Sequence, residues 1–196
     1  MHALAVAVTL AAAGTPGYSA WRDTVSRLAS PGQRGATFMR IAFILYGVAV
    51  IAGARALARW RRSPSGFAGS RCIYGACAVV AGLASKDLPG DPHTTAGAVH
   101  VYATVVGGVA IVTAMLLTAA HDRSRVARLS SAVVLVLTVA ASAAFRFTWG
   151  TRYYGAVERV VLAPAMIWLS LLAAGALPGV GARRVRRRCG PGHAGP

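Results

Sequence analysis

The sequence predicts an all-α, polytopic transmembrane bundle of about six helices with both termini in the cytoplasm. The first observation is composition: 56% of the residues are hydrophobic, 13% are charged, and the mean hydropathy is +0.55. Soluble domains usually carry about 25% charged residues. The second observation is that long apolar runs alternate with short arginine clusters, as membrane helices alternate with their loops. Both observations favour lipid as the solvent for much of the surface.

Six apolar runs are candidates for the helices. A spanning helix needs roughly 20 predominantly apolar residues, with a range of about 17 to 25. The second, fourth, fifth and sixth runs meet this requirement, whereas the third is short and needs residues 69–71, with Arg71 extending to the interface. The runs cover residues 3–13, 38–54, 72–85, 96–120, 129–145 and 157–177.

The first run is the shortest, and it has two interpretations. A signal peptide has a short apolar core followed by small residues, which Ala11, Ala12 and Ala13 provide. A signal peptide also needs a positively charged start, and the run has none. We therefore expect a true first helix, and whether it is truncated at Met1 stays open.

The arginine clusters set the orientation. With six helices, the segments 55–71, 123–128 and 183–188 lie on one side of the membrane, and together they hold more basic residues than the opposite side. The positive-inside bias places that side in the cytoplasm. We therefore predict a six-helix transmembrane domain over residues 1–178 and a disordered basic cytoplasmic tail over residues 179–196.

The net charge of +16 raises the question of a nucleic-acid partner. A nucleic-acid-binding protein concentrates its basic residues on one soluble face or along one helix, whereas these arginines lie between apolar runs. We predict the lipid bilayer as the partner and no nucleic acid, and the oligomeric state stays open. Cys72, Cys77 and Cys189 do not form a disulfide framework, and the first two are interpreted as small apolar fillers.

We predict neither a cofactor nor a metal ion. His100 and His121 lie at opposite ends of the fourth run, and no other run offers a histidine at the same depth to complete a haem site. The spacing of Asp87, Asp91, His93 and His100 matches no zinc signature. The sequence also lacks a phosphate loop, a nucleophile elbow and a nucleotide-binding fingerprint.

Glu158 is the first candidate for chemistry. An ionisable group near a membrane helix end is a functional candidate by default. The alternative is structural, because a carboxylate in the first turn of a helix is stabilised by the helix dipole. Asp87 and Asp91 share a loop with His93, which offers an acid/base pair. The competing interpretation of that loop is a plain turn with Thr94 or Thr95 capping the next helix.

The arginines of the outer loops have two interpretations as well. Arg146 and Arg152, together with Arg22 and Arg27, form a candidate site for an anionic headgroup or phosphate. The alternative is that these side chains extend along the apolar surface and place their charges in the interface.

The short polar segments that precede or open the second, fourth and sixth runs occur in an order that resembles a known family. Tyr18 and the segment 23–28 precede the second run, Asp91 and Pro92 precede the fourth, and Glu158 and Arg159 open the last. This order resembles the prokaryotic six-helix membrane proteins grouped as domain-of-unknown-function family 998, from about residue 18 to residue 177. The resemblance implies the architecture, the plasma membrane of a prokaryote and an outer polar cluster, but no reaction. The chain departs from the family at Arg27, where an acid is common, and at Gly90, where a cysteine is frequent.

Our leading interpretation is a multi-pass membrane protein with an outward-facing polar cluster and an accessory or structural role. The first alternative is a membrane-embedded enzyme acting on a lipid or isoprenoid, of the acid-catalysed cyclase or isomerase type. The second is a small-molecule transporter, although no internal repeat supports it. The candidate catalytic residues are Glu158, Asp91, His100 and Asp23, and the candidate substrate-binding residues are Arg146, Arg152, Arg22, Asp87 and Tyr153.

Overall fold

A computed structural model describes residues 2–61, 65–88, 90–122 and 124–173 of the chain. The predicted all-α fold is confirmed, because the described residues form helices and loops without strands. The tail predicted over 179–196, including Cys189, and the end of the sixth apolar run lie outside the described residues. The helices are α1 (His2–Ala13), α2 (Ala36–Arg61), α3 (Ser65–Leu83), α4 (Thr95–His121), α5 (Arg125–Phe147) and α6 (Tyr154–Ala173), with a 3-10 helix at Val25–Ala29.

Five of the helices, α2 to α6, are long and apolar enough to cross a membrane. This finding makes the chain a multi-pass membrane protein with lipid around its apolar faces. Helix α1 has 12 residues, which span only about 18 Å at 1.5 Å per residue. It nevertheless belongs to the bundle, since Leu4, Ala7 and Ala11 are buried in the core.

Consecutive helices pack side by side and run in opposite directions. One end of the bundle therefore gathers the end of α1, the start of α2 and the α3–α4 and α5–α6 loops. We call it the cap end, because residues 14–35, the cap segment, cover it. The other end carries the α2–α3 and α4–α5 connections, and we call it the hairpin end.

The two helices α2 and α3 approach each other through glycines. A Cβ atom on Gly75 would lie 2.7 Å from the carbonyl oxygen of Gly47, and one on Gly82 would lie 2.8 Å from that of Arg40. Such small residues allow membrane helices to pack backbone against backbone. The Arg40 side chain donates to the carbonyls of Gly82 (3.0 Å) and Leu83 (2.6 Å), which lie at the end of α3.

Towards the hairpin end, the core contains a buried arginine. Arg71 is only 6% exposed, so the expectation that it extends to the interface is wrong. Its guanidinium donates to the Thr118 hydroxyl at 3.4 Å and lies 5.5 Å from the centre of the Trp168 ring. Trp168 is fully buried and donates its indole N–H to Ser131 at 2.9 Å. The surrounding protein provides these polar contacts, which lipid cannot offer.

Candidate functional site

The cap segment is held onto the bundle by its backbone. Glu158, in the first turns of α6, accepts a hydrogen bond from the backbone N–H of Val25 at the start of the 3-10 helix. Lys86, in the α3–α4 loop, donates to the hydroxyls of Thr24 (3.1 Å) and Ser26 (3.2 Å). Burial lowers the pKa of Lys86, and the negative charge of Glu158 partly opposes that shift. The α3–α4 loop and α6 thus meet at the same short stretch of the cap segment.

Arg159 makes a second attachment beside the first. Its guanidinium donates to the carbonyls of Ala20 (2.7 Å), Asp23 (3.0 Å) and Gly155 (2.8 Å), and to the Tyr18 hydroxyl. Burial raises the pKa of Tyr18, and the adjacent Arg159 charge counteracts this effect. The guanidinium is therefore committed to protein acceptors, and its role in this geometry is to fasten the cap segment to α6.

Asp23 was a candidate catalytic residue, and the structure places it in the cap segment with both carboxylate oxygens occupied. One oxygen accepts from the backbone N–H of Ser19 at 2.7 Å, and the other forms an ion pair with Arg27. Asp23 is buried and is not among the residues that line the cavity described below. Arg27, considered as part of an anion site, is likewise committed to this pair.

Asp87, a candidate binding residue, stabilises the start of α4. Its carboxylate accepts from the backbone N–H (2.9 Å) and the hydroxyl (2.7 Å) of Thr94, and these bonds lower its pKa. Thr94 in turn accepts from the N–H of Gly97 at 2.9 Å, which makes Thr94 the N-cap of α4. Asp91, also a candidate acid, is exposed in the same loop.

His100 is buried at the start of α4, only 4% exposed. Its Nδ1 atom lies 3.0 Å from each of two carbonyl oxygens at the end of α3, those of Ala81 and Ala84. Helix α3 ends here with carbonyls that have no helical donor, and the imidazole satisfies them. His100 therefore both joins α3 to α4 and presents its remaining ring atoms to the interior.

A cavity of about 780 Å³ lies between the six helices and is partly open to the surroundings, since Val105, Val109 and Val139 of its wall are exposed. Its walls are mainly apolar, with Leu4, Ile111 and Met166 among them. Polar side chains towards the cap end include Ser26, His100, Glu158 and Arg159, and the hydroxyls of Thr9, Thr104 and Ser142 line the wall as well. Deeper inside, the hydroxyls of Tyr46 and Tyr74 hydrogen-bond each other at 3.0 Å. The volume lies within the range of about 300–1,000 Å³ seen for small-molecule sites.

The structure brings together only part of the predicted cluster. Glu158 and His100 line the same cavity, whereas the other candidates do not. Tyr153 is exposed and contacts Trp21 edge to face, with ring centres 6.4 Å apart, and the Arg152 guanidinium lies 4.8 Å from the Tyr153 ring centre. Exposed positions are also found for Arg22 and Arg146. Within the described ranges, no group of three His, Cys, Asp or Glu side chains is arranged to hold a metal ion.

Three features of the site were missed by the sequence reasoning. Lys86 received no role from the sequence, although it is the one lysine among twenty arginines. No sequence pattern indicated that Ser26 belongs to the site. Tyr46 and Tyr74 lie within the second and third apolar runs, and a hydroxyl at that depth indicates either a partner on another helix or a cavity.

The geometry can be set beside known proteins. The chain matches, over residues 2–175, the family described as "Protein of unknown function (DUF998)". The match covers most of the chain, so the protein belongs to this family, as the order of its short polar segments predicted. No curated protein and no solved structure matches it.

Proposed function

We propose that this protein binds one molecule of a lipid or isoprenoid inside its bundle and acts as an accessory membrane protein through that ligand. The observation that supports this proposal is the apolar cavity of about 780 Å³ with polar side chains at its cap end. An apolar chain inserted there exchanges one apolar surrounding for another. The polar groups then fix the orientation of the ligand and its identity.

The cap segment supports the same proposal. Val25 and Ser26 belong to it and also line the cavity. The residues that fasten this segment, Glu158, Lys86 and Arg159, come from two other parts of the chain. A ligand at the cap end therefore contacts the segment that these bonds hold in place. In the accessory role that we propose, occupancy of the cavity changes the surface that the cap segment presents to other proteins.

The arginine distribution supports an orientation for this arrangement. Arg55, Arg59 and Arg125 lie at or near the hairpin end, and the positive-inside bias favours the cytoplasm for that end. The cap end then faces the outside of a prokaryotic plasma membrane. Labelling of single cysteines introduced at Trp149 and at Arg125, in a chain without its native cysteines, tests this orientation. We expect an impermeant maleimide to label only the first position in intact cells.

A pair of glycines provides the test of the cavity. Gly108 lines the cavity and Gly53 does not, and a Cβ atom at either position has no neighbour within 4 Å. We expect Gly108→Phe to narrow the cavity and Gly53→Phe to extend into the surrounding lipid. Native mass spectrometry of the purified proteins measures the bound molecule. We expect wild type and Gly53→Phe to retain a lipid-mass adduct and Gly108→Phe to lose it, whereas the same adduct in all three would contradict the proposal.

The enzyme alternative is favoured by one specific observation, namely that a carboxyl group and an imidazole line the same cavity. In an isomerisation, the carboxylic acid form of Glu158 would give a proton to one alkene carbon, and neutral His100 would remove a proton from another. Return of the proton from imidazole to carboxylate completes the cycle, with no net change in atoms or electrons. Organic extracts of cells expressing wild type and Glu158→Gln at matched levels test this candidate. A terpenoid or lipid mass found only with wild type supports it, and identical extracts exclude Glu158 as the acid.

A further inference from the structure

We infer that the polar end of the bound lipid is an uncharged hydroxyl group, as in a prenyl alcohol, a fatty alcohol or a diacylglycerol, and not a phosphate or a carboxylate. This inference rests on the proposed function. It follows from which hydrogen-bonding atoms at the cap end of the cavity are already committed to the protein and which are not.

His100 supplies a hydrogen-bond acceptor. Its Nδ1 atom faces two carbonyl oxygens, which can only accept, so Nδ1 carries the proton. In a neutral imidazole the other nitrogen, Nε2, is then an acceptor. Nε2 has no hydrogen bond to any residue that the structure describes. A ligand that donates a proton can therefore pair with it.

Glu158 offers its second oxygen. One carboxylate oxygen, Oε2, accepts from Val25, and Oε1 makes no hydrogen bond within the described part of the chain. As a carboxylate, Oε1 accepts; as a carboxylic acid, the group also donates. A hydroxyl group both donates and accepts, so it satisfies Glu158 in either form. A fully ionised phosphate can only accept hydrogen bonds, and the negative charge of the Glu158 carboxylate would repel it.

Among the described residues, Arg159 is the one cation that lines the cavity, and its guanidinium is occupied. The exposed arginines of the cap end lie outside the cavity lining. Lys86 donates to two hydroxyls and Arg159 to backbone carbonyls, while Arg27 is paired with Asp23 and Arg40 binds the end of α3. A phosphate entering the cavity would have to displace these bonds and lose its own hydration, and burying a charge without a partner is strongly unfavourable. An ammonium group is disfavoured as well, because Lys86 and Arg159 lie beside the same site.

A competition experiment distinguishes these headgroups. The full chain in nanodiscs is irradiated with a diazirine analogue of farnesol, and crosslinked peptides are located by mass spectrometry. The competitors are farnesol, its methyl ether, farnesyl phosphate and farnesyl amine, compared at equal concentration in the bilayer. We expect crosslinks on cavity residues such as Leu162 and Met166. Farnesol should displace the probe about tenfold better than the ether, which corresponds to one or two hydrogen bonds, and better than the phosphate and the amine.

Two variants test whether His100 causes the preference for farnesol over its methyl ether. In His100→Asn, the side-chain amide replaces the Nδ1 donor and keeps the bonds to the α3 carbonyls, but the Nε2 acceptor is lost. In His100→Gln, the amide reaches the position of Nε2 and the bonds to α3 are lost. We expect the advantage of farnesol over its methyl ether to fall about threefold to tenfold in His100→Asn. The comparison of competitors on wild type stands even where a variant does not fold.

The outcomes separate the two proposals. If no competitor reduces crosslinking to the cavity residues, the cavity binds no such lipid, and the proposed function fails together with this inference. If the methyl ether, the phosphate or the amine displaces the probe as well as farnesol does, the cavity binds lipids but the hydroxyl assignment is wrong. An unchanged preference in folded His100→Asn overturns the assignment of Nε2 as the acceptor.

Discussion

Small residues have opposite effects in two regions of this bundle. In the α2–α3 seam, defined by Gly47, Gly75 and Gly82, small residues face each other and the two backbones come into contact. In the cavity wall, by contrast, Gly108 of α4 faces open space, because an added Cβ atom has no neighbour within 4 Å. The comparison teaches that a small residue in a membrane helix does not by itself indicate close packing. The residue on the opposite helix decides between contact and cavity.

The seam should be the most sensitive region to added volume. A Cβ atom on Gly47 would overlap the carbonyl oxygen of Gly75 and the backbone nitrogen of Val79, and a backbone cannot move aside as a side chain can. We expect Gly47→Ala to lower the free energy of unfolding by about 3 kcal/mol, the upper part of the range for overpacking. Unfolding in mixed micelles with increasing dodecyl sulfate measures it.

Gly53→Ala is the matched control, because it lies on the same helix with no neighbour within 4 Å of the added atom. Alanine favours the helix by up to about 1 kcal/mol relative to glycine, so this variant should be as stable as wild type or slightly more stable. Equal effects of the two substitutions would show that the α2–α3 contact is looser than the structure has it.

The second largest effect is expected in the cap segment, which covers the cavity. Arg159→Met removes the guanidinium that holds the carbonyls of Ala20 and Asp23, and hydrogen bonds to charged groups contribute about 1.5–3 kcal/mol. We expect faster hydrogen exchange across residues 14–35 with little change in the α2–α3 seam. Arg152→Met, at an exposed position, is the control and should leave both regions unchanged. Faster exchange in the seam of Arg159→Met would mean that the two regions unfold as one unit.

Features of this protein that depend on residues close together in the chain could be predicted from the sequence. The helices follow from apolar runs and arginine clusters, which are local in the chain, and the Thr94 cap follows from its position before a helix. Glu158 was identified because ionisable groups near membrane helix ends are uncommon, and His100 because it follows the loop of Asp87, Asp91 and His93 closely in sequence. These features need no knowledge of which helices are neighbours.

Other features depend on contacts between distant segments, and there the sequence was insufficient. The outer arginines do not gather at a site, since Arg27 has an acid four residues earlier in the chain while Arg152 lies over a tyrosine ring. Arg71 was expected at the interface and is buried beside Trp168, nearly a hundred residues away in sequence. Composition reports how many cations there are, whereas tertiary structure decides which acceptors they bind.

The smallest expected effect concerns the loop that leads into α4 and hence into the cavity wall. Hydrogen bonds from Thr94 lower the pKa of Asp87, so the folded state favours its carboxylate. The unfolded state binds the proton more readily, with a pKa of about 4. The resulting stability is present above that value and is lost as the pH falls through the lowered pKa of the folded state. We expect wild type to have a slightly higher thermal unfolding midpoint than Asp87→Asn at neutral pH.

That difference should disappear in acid, because a protonated Asp87 and an asparagine are both neutral and each can hydrogen-bond Thr94. Asp91→Asn is the control from the same loop: the Asp91 side chain is exposed and makes no hydrogen bond to the residues described, so its midpoint should follow that of wild type at every pH. A difference between wild type and Asp87→Asn that persists in acid would mean that side-chain shape, not charge, stabilises the start of α4. In that case the stability of the start of α4, like that of the α2–α3 seam, would depend on packing and not on charge.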